Sequence, residues 1–361
     1  MQEMKGYFQK VAGTAYEVGR QQAEWLEQHP DLKGQYIHHE VLDEHALSQT
    51  KQLLRKYSPQ LEEEIAGFCD YLQIEEKYLS FYHSSYLQPG CSHCVVLPPK
   101  TVENQLIMMR NYDFSPVFDD MRLVSAHVED QAVHTGSSIL LFGRTDGMNE
   151  HGLSVTFSAC GAPVGNEPGL KPPQVAGLQI YHVIRFVLDQ CKTVQEAITY
   201  VHEMPVASNV HLMFADRKGH TAAIEIVNGE QVVRRPTADY IAATNHPLAD
   251  VQKQGFTKYN SVRRYELITD TMKDDKIPLQ ALQALFATEY PAGLTVHNYE
   301  EMFGTMRTLM FRPADLRIDY CFGSPLYNET YTLQVGETLS FQEKNIQFQQ
   351  KDYGSSFWRS I

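Results

Sequence analysis

The residues of greatest chemical potential in this chain are Gly90-Cys91-Ser92. They stand where a helical pattern gives way to short apolar and alternating runs, so the Cys91 thiol is expected at the head of a strand. If the Gly90–Cys91 peptide bond were cut, Cys91 would gain an α-amino group, with an ordinary pKa of about 8, beside its own thiol. One residue then supplies nucleophile and general base, and no separate histidine is needed. Glycine before the cysteine suits such a cut, because the thiol must approach the scissile carbonyl closely for an N-to-S acyl shift. Without context, Cys91 reads more simply as a small buried apolar residue. The context is Arg110-Asn111-Tyr112-Asp113-Phe114, which ends the next expected strand and lies beside Cys91 if the two strands form a hairpin. Asp113 could then hold the α-amine or the thiol, and Arg110 could lower the thiol pKa by its charge. The plainer alternative is a turn carrying a surface ion pair.

The elements that must position these groups follow from periodicity. The first ninety residues read as helical: Gly13-Thr14-Ala15-Tyr16-Glu17-Val18-Gly19 leads into residues 20–26, and Ser58-Pro59 opens a helix on which Leu61, Ile65, Phe68, Cys69 and Leu72 recur. Pro89-Gly90 is a turn or linker signal. Strands are expected over 91–97, 106–110, 123–128, 138–142 and 152–157, with a turn-like 146–152 before the last of these. Helices follow over 177–190 and 193–202, the second opening on a Thr193-Val194-Gln195-Glu196 capping box. Strands resume over 210–215, 221–227, 231–234 and 240–244; helices over 258–272 and 278–287 precede a last hairpin, 305–312 with 317–322. Runs of strands with paired helices favour an α+β layered domain with antiparallel sheets.

Composition narrows the function. A net charge of -13, with scattered Lys and Arg, argues against nucleic acid as a partner. No apolar run reaches the length of a membrane span, and residues 1–16 do not resemble a signal peptide, so a cytoplasmic location is expected. The six cysteines are widely spread, which implies no disulfide framework. Cys91-Ser92-His93-Cys94 invites a metal or redox reading, but no second pair of ligands matches it and it opens a strand rather than a helix. No metal and no cofactor is therefore expected.

Gly90-Cys91-Ser92 followed by Arg110–Phe114 resembles the signature shared by choloylglycine hydrolases, penicillin V acylases and acyl-coenzyme A:6-aminopenicillanic acid acyltransferases. The acyltransferase (peptidase C45) branch fits better, because it carries a helical pro-segment and the Gly13–Gly19 stretch is similar to its opening motif; bile-salt hydrolases start almost directly at the cysteine. The resemblance continues through Gly147-Met148-Asn149-Glu150-His151-Gly152-Leu153, the apolar helix near residues 180–188, and Thr244-Asn245-His246. It implies a four-layer αββα N-terminal-nucleophile (Ntn) sandwich, with residues 1–90 as a helical pro-segment wrapping the core and 91–361 as the catalytic domain, the two staying associated after self-cleavage. It also implies that Asn245 supplies an oxyanion-hole amide. Asn260-Ser261-Val262-Arg263-Arg264 looks like the family's Ser/Asn-x-x-Arg helix start, with either Arg263 or Arg264 supporting the site.

Two features depart from the pattern. Cys94 lies nearer the hydrolases' spacing to Arg110, although Cys91-Ser92 is the preferred nucleophile because Cys94 and Val96 fall on inward apolar positions. Arg110 matches the hydrolase branch while the pro-segment matches the acyltransferases. The resemblance therefore implies an autoproteolytically activated amidohydrolase acting on a small acylated amide, with acyl transfer from a thioester to an amine, or a catalytically silent binding protein of this fold, as alternatives. The partner is a small-molecule substrate, a homo-oligomer is compatible with the sequence, and loops 115–122 and 161–173 are expected to wall the pocket.

Overall fold

Every residue of Gly90–Val96 (β2) and Ile107–Phe114 (β3) is buried, and strands buried on both faces need cover on both sides. That requirement sets the layering. The computed structural model describes residues 2–38, 44–83, 90–162, 164–165, 171–249 and 257–360. One sheet contains β1 (Gln2–Gly13), β4 (Arg122–Val128), β5 (His134–Ile139), β6 (Gly143–Arg144), β7 (Asp146–Asn149), β8 (Ser154–Ala159), β9 (Val210–Ala215), β10 (Thr221–Val227), β11 (Glu230–Arg234) and β17 (Glu343–Phe348). Its order is β11-β10-β9-β8-β7-β5-β4-β1-β17, with β6 paired to β5. The second sheet runs β12 (Tyr240–Ala243), β2, β3, β14 (Phe303–Arg312), β15 (Arg317–Phe322) and β16 (Thr330–Gln334), with β13 (His297–Asn298) on β14.

Ten helices accompany the sheets among the described residues: α1 (Ala15–Gln28), α2 (Lys33–Tyr36), α3 (Glu44–Tyr57), α4 (Pro59–Leu72), α5 (Ser80–His83), α6 (Ile180–Gln190), α7 (Val194–His202), α8 (Tyr259–Thr271), α9 (Leu279–Ala287) and α10 (Ser355–Trp358). Helices α6 and α7 pack on the first sheet, α8 and α9 on the second, and the sheets face each other through β2, β3, β8 and β9. The result is an α+β, four-layer αββα sandwich. No helix is long and apolar enough to cross a membrane among the described residues.

Several expectations are corrected. The first ninety residues are not wholly helical, because residues 2–13 form β1, which runs parallel to β4 and antiparallel to β17. Met4, Tyr7, Phe8 and Val11 are spaced as a helix face would be, but here the pairing on both edges fixes an extended chain. Residues 146–149 are strand rather than turn; the strand expected over 138–142 ends at Ile139, where Leu140 and Leu141 turn with φ of 52° and 67°. The hairpin β14–β15 is followed by β16 and β17, which carry few apolar residues. Pro89 and, in the 161–173 loop, residues 163 and 166–170 lie outside the described residues.

The N-terminal segment is built into the core. Thr14 caps α1 through a capping box with Glu17. Helices α1 and α4 cross where a Cβ on Gly19 would sit 1.8 Å from the Glu64 carbonyl oxygen and one on Gly67 2.1 Å from that of Tyr16, so side chains are excluded from both positions. Glu64, 1% exposed, accepts from Gln22 of α1 and from Arg185 Nη2 of α6 at 2.7 Å. Arg185 also donates to Asp189 at 2.7 Å. Burial opposes its ionisation, but the Asp189 and Glu64 carboxylates win and hold it above its ordinary range. Arg122 of β4 donates in turn to Gln9 at 2.8 Å and Gln22 at 2.9 Å. These bonds join residues before Gly90 to residues after it without relying on the peptide connection. Removing one partner of such a pair strands a buried charge, so Glu64→Ala is expected to lower stability by about 3–5 kcal/mol in urea unfolding; a loss below about 1 kcal/mol would show that the pair is not what holds the segment.

Candidate active site at Cys91

The β2–β3 register pairs Cys91 with Tyr112, His93 with Arg110, Ser92 with Asn111 and Gly90 with Asp113. Because strand side chains alternate, Cys91, His93, Arg110 and Tyr112 face the first sheet, while Ser92, Cys94, Asn111 and Asp113 face α8 and α9. Cys91 is fully buried, and each of its three heteroatoms is held by a side chain distant in sequence. Its Sγ lies 3.3 Å from Arg110 Nη2. Its backbone N donates to Asn245 Oδ1 at 3.2 Å, and its carbonyl accepts from Arg264 Nη1 at 2.6 Å.

Two arginines organise these contacts. Arg110 is braced by Asp146 Oδ2 at 2.6 Å and lies over the Tyr112 and Phe157 rings at 4.7 and 4.9 Å. Arg264, on the buried side of α8, also donates to Ser92 Oγ at 2.9 Å, Asn245 Oδ1 at 2.7 Å and Asn260 Oδ1 at 3.1 Å. Arg263 points away and pairs with Glu266 at the surface at 3.2 Å. Asp113 lies 3.8 Å from Arg264 and accepts from Thr305 Oγ1 at 2.7 Å. Its carboxylate is therefore on the sheet face opposite the thiol and reaches the Cys91 end through Arg264. Asn245 sits just after β12, with its backbone N donating to Ser261 Oγ at 2.8 Å and its Nδ2 to the Ala159 carbonyl at 3.1 Å. Beside the cluster, a Cβ on Gly90 would fall 2.1 Å from the Phe303 ring, so any larger residue before Cys91 must displace that ring.

Burial dominates the electrostatics. It pushes the Cys91 thiol up; the Arg110 charge pulls the other way, as expected from the sequence, but does not prevail. Burial likewise raises Asp113 to about 6 against the pull of Arg264. Cys94 packs with Ile268 and Leu282 on the helix side, where burial pushes its thiol to about 12. Cys91 and Cys94 thus point to opposite faces of β2 and cannot share an ion. Sequence reasoning missed Asp146 and Thr305, and placed Asn260 and Ser261 only in a helix-start motif, without their bonds to Arg264 and Asn245. The helical spacing of Ser261, Arg264, Ile268 and Met272, all buried, was the available signal separating Arg264 from Arg263. A surface cavity of about 760 Å³ beside Phe8, Trp25 and Phe341 touches none of these residues.

The interior also holds neutral histidines. Burial lowers His134, His182, His246 and His297 to about 4 and His211 to about 3. The unfolded chain protonates these rings near pH 6.5 while the folded one does not, so their contribution is present at neutral pH and is lost as pH falls toward 4. His182 packs edge-on to Phe81 at 4.5 Å, stacks with Phe186 at 6.4 Å and bonds to the Phe81 backbone, so phenylalanine keeps the ring packing and gives up that bond at every pH. His182→Phe is expected to reduce the stability lost between about pH 7 and 4.5 by ~2 kcal/mol, measured by urea unfolding; an unchanged slope would contradict the assignment.

With this geometry in place, a family model for acyl-coenzyme A:6-aminopenicillanic acid acyl-transferase matches residues 100–327. A penicillin V acylase from Pectobacterium atrosepticum is 30% identical over 122 residues, which cover 30% of this chain and 31% of that protein; the chain thus spans about a third of that relative's length. Among solved structures, penicillin V acylase from Agrobacterium tumefaciens is similar with a TM-score of 0.43 and 21% identity, covering 68% of this chain and 86% of that one. A mutant conjugated bile acid hydrolase from Clostridium perfringens gives a TM-score of 0.45 and 13% identity, covering 72% and 97%. The family match begins just beyond Cys91, yet it takes in Arg110, Asp113, Asn245 and Arg264 and spans more than half of the sequence, so the chain belongs to the acyl-coenzyme A:6-aminopenicillanic acid acyl-transferase family.

Proposed function

We propose that this protein is an Ntn amidohydrolase that cuts its own Gly90–Cys91 bond and then uses Cys91 as its nucleophile. The observation that carries this reading is the separate tethering of the Cys91 nitrogen, oxygen and sulfur by Asn245, Arg264 and Arg110. A structural cysteine needs no such arrangement. A residue whose nitrogen becomes a free amine must be held by other means once its peptide bond is gone. For the cut, the Cys91 thiol attacks the Gly90 carbonyl, the C–N bond breaks as the nitrogen takes up a proton, and water hydrolyses the resulting thioester.

In turnover, the Cys91 thiol gives its proton to the α-amine and the sulfur attacks the carbonyl carbon of a linear amide. The oxyanion of the tetrahedral intermediate is stabilised by Asn245 with a backbone N–H, a kind of donor worth roughly 3 kcal/mol. The C–N bond then breaks and the α-ammonium protonates the departing amine. Water, deprotonated by the α-amine, cleaves the thioester and releases the acid. Arg110 stabilises sulfur charge, Arg264 and Asp113 fix the Cys91 main chain, and Arg263 takes no part. The substrate class, an acylated amino acid, peptide or related amide, is supported by the kinship with penicillin V acylase. A cytoplasmic location accompanies this reading, since all six cysteines are free thiols, the form that reducing compartments maintain.

The name of the matched family favours a second outcome from the same thioester, in which an amine replaces water and an acyl-coenzyme A replaces the amide donor. Product partition from a labelled thioester between amine and water separates the two. Intact mass spectrometry should show two fragments meeting at Gly90/Cys91 in active protein and one chain in Cys91→Ala. A panel of N-acyl amino acids, bile-salt conjugates and penicillin V, assayed for amine release, should respond to wild type alone; full activity in an uncut chain would refute the mechanism. Arg264→Lys, which cannot reproduce the forked contacts, is expected to lower kcat by roughly 10²-fold, whereas Arg263→Lys leaves it unchanged.

A further inference from the structure

The end of β8 and the middles of β9 and β10 bring together three buried metal-ligating side chains that the chemistry at Cys91 does not use. The register aligns Ser158 with His211 and His211 with Glu225, and Cys160 follows two residues after Ser158. One ligand atom from each of Cys160, His211 and Glu225 lies within 4.8 Å of the other two. The decisive detail is the state of the imidazole. His211 Nε2 lies 3.0 Å from the His246 carbonyl, which can only accept, so Nε2 carries the proton and Nδ1 presents a lone pair. That Nδ1 is buried without a hydrogen-bond partner and points at Glu225 Oε2, 3.6 Å away. That oxygen already accepts two backbone N–H bonds and offers no proton. The Nδ1 lone pair is thus left facing an acceptor in the buried interior, and a cation bound to Nδ1 and the carboxylate resolves the conflict.

We propose that Cys160, His211 and Glu225 form a transition-metal site, with zinc the ion that fits best. Sulfur, imidazole nitrogen and carboxylate oxygen make a set of zinc ligands, and bonds of about 2.0–2.3 Å in a tetrahedron put ligand atoms roughly 3.5 Å apart, within reach by small side-chain adjustments. The surroundings orient the set. The His211 Nε2–H is fixed by a carbonyl, and Glu225 Oε2 accepts from Leu248 N at 2.8 Å and Ala249 N at 2.9 Å. Burial, and after it the Glu225 charge, hold the proton on Cys160 against the weaker pull of Arg234, so binding must release that proton, and the charge of the divalent ion is what favours the thiolate. Thiolate and carboxylate then neutralise the divalent ion. Three protein ligands leave a fourth position for water. The same residues hold the 244–249 segment that bears Asn245, so the ion pins that segment from behind without touching Cys91.

The test uses the full chain, purified without chelator, dialysed against zinc and then against buffer. Elemental analysis should find about one zinc per chain in wild type and in Cys91→Ala, and background in Cys160→Ser and His211→Gln. Glu225→Gln, which still accepts the Leu248 and Ala249 bonds, should weaken zinc binding at least about tenfold while keeping the wild-type circular dichroism. Cobalt-loaded wild type should show a sulfur-to-cobalt charge-transfer band that Cys160→Ser lacks. Background metal in zinc-dialysed wild type, or cobalt bound without the thiolate band, overturns the proposal even if the variants fail to fold. Metal retention in Cys91→Ala separates this result from any failure of the hydrolase reading.

Discussion

The structure around Cys91 depends on keeping the Arg264 guanidinium charged in a place where water does not reach it. A buried cation is tolerated when most of its donors are matched: the two terminal nitrogens of Arg264 meet the Cys91 carbonyl, Ser92, Asn245 and Asn260, its Nε is left without a partner, and Asp113 supplies opposite charge. The partners come from four places: β2, which supplies both Cys91 and Ser92, the turn after β12, the first turn of α8, and β3. One ion therefore fixes the mutual positions of four elements at a single point. Thr305 on β14 extends the set by holding Asp113, and the Phe303 ring lies under the guanidinium at 5.3 Å while closing over Gly90. The ring that lies under this charge is thus the same one that favours glycine before Cys91.

Arg110 does the corresponding work on the other face of the same strands. Its brace is Asp146 from the first sheet, and Asp146 is within 3.8 Å of Arg307, which is itself paired to Asp119. The contact between the two sheets is thus polar where the thiol lies. Such an arrangement contributes less to stability than hydrophobic packing would, because desolvation offsets most of the Coulomb attraction. Its effect is to fix the register: a one-residue slip of β2 would move Cys91 to the α8 face and bring Ser92 to Arg110.

Much of this was legible in the residues. Short apolar runs located β2, β9, β10 and β14, which are buried almost throughout, and the helical repeats located α4, α6, α8 and α9, because in each the local pattern and the final burial agree. Where they disagreed, the sequence misled. The apolar spacing in β1 suits a helix, and only pairing with β4 and β17, partners more than a hundred residues away, makes it a strand. The link from Asp146 to Arg110 spans 36 positions and leaves no local trace. The choice between Arg263 and Arg264 was different, since the buried stripe of α8 contained the answer: Arg264 lies three residues after Ser261 and four before Ile268.

The motifs that carried the family resemblance divide by physical role. Gly13 to Gly19 serves a helix start and a close helix crossing. Asn149 donates to the Leu188 and Cys191 carbonyls at the end of α6 and accepts from His151 and Leu153, so it ties a turn to a helix terminus. Neither touches Cys91. Asn245 and Arg264 do, and they also bond to each other. Shared sequence in the first group reports a shared scaffold and is silent about chemistry, since a glycine at a helix crossing is equally necessary above an active or an inert cysteine. The second group bears on chemistry, because a cysteine with its nitrogen, oxygen and sulfur each held by a different residue is costly to build and has no packing advantage to account for it.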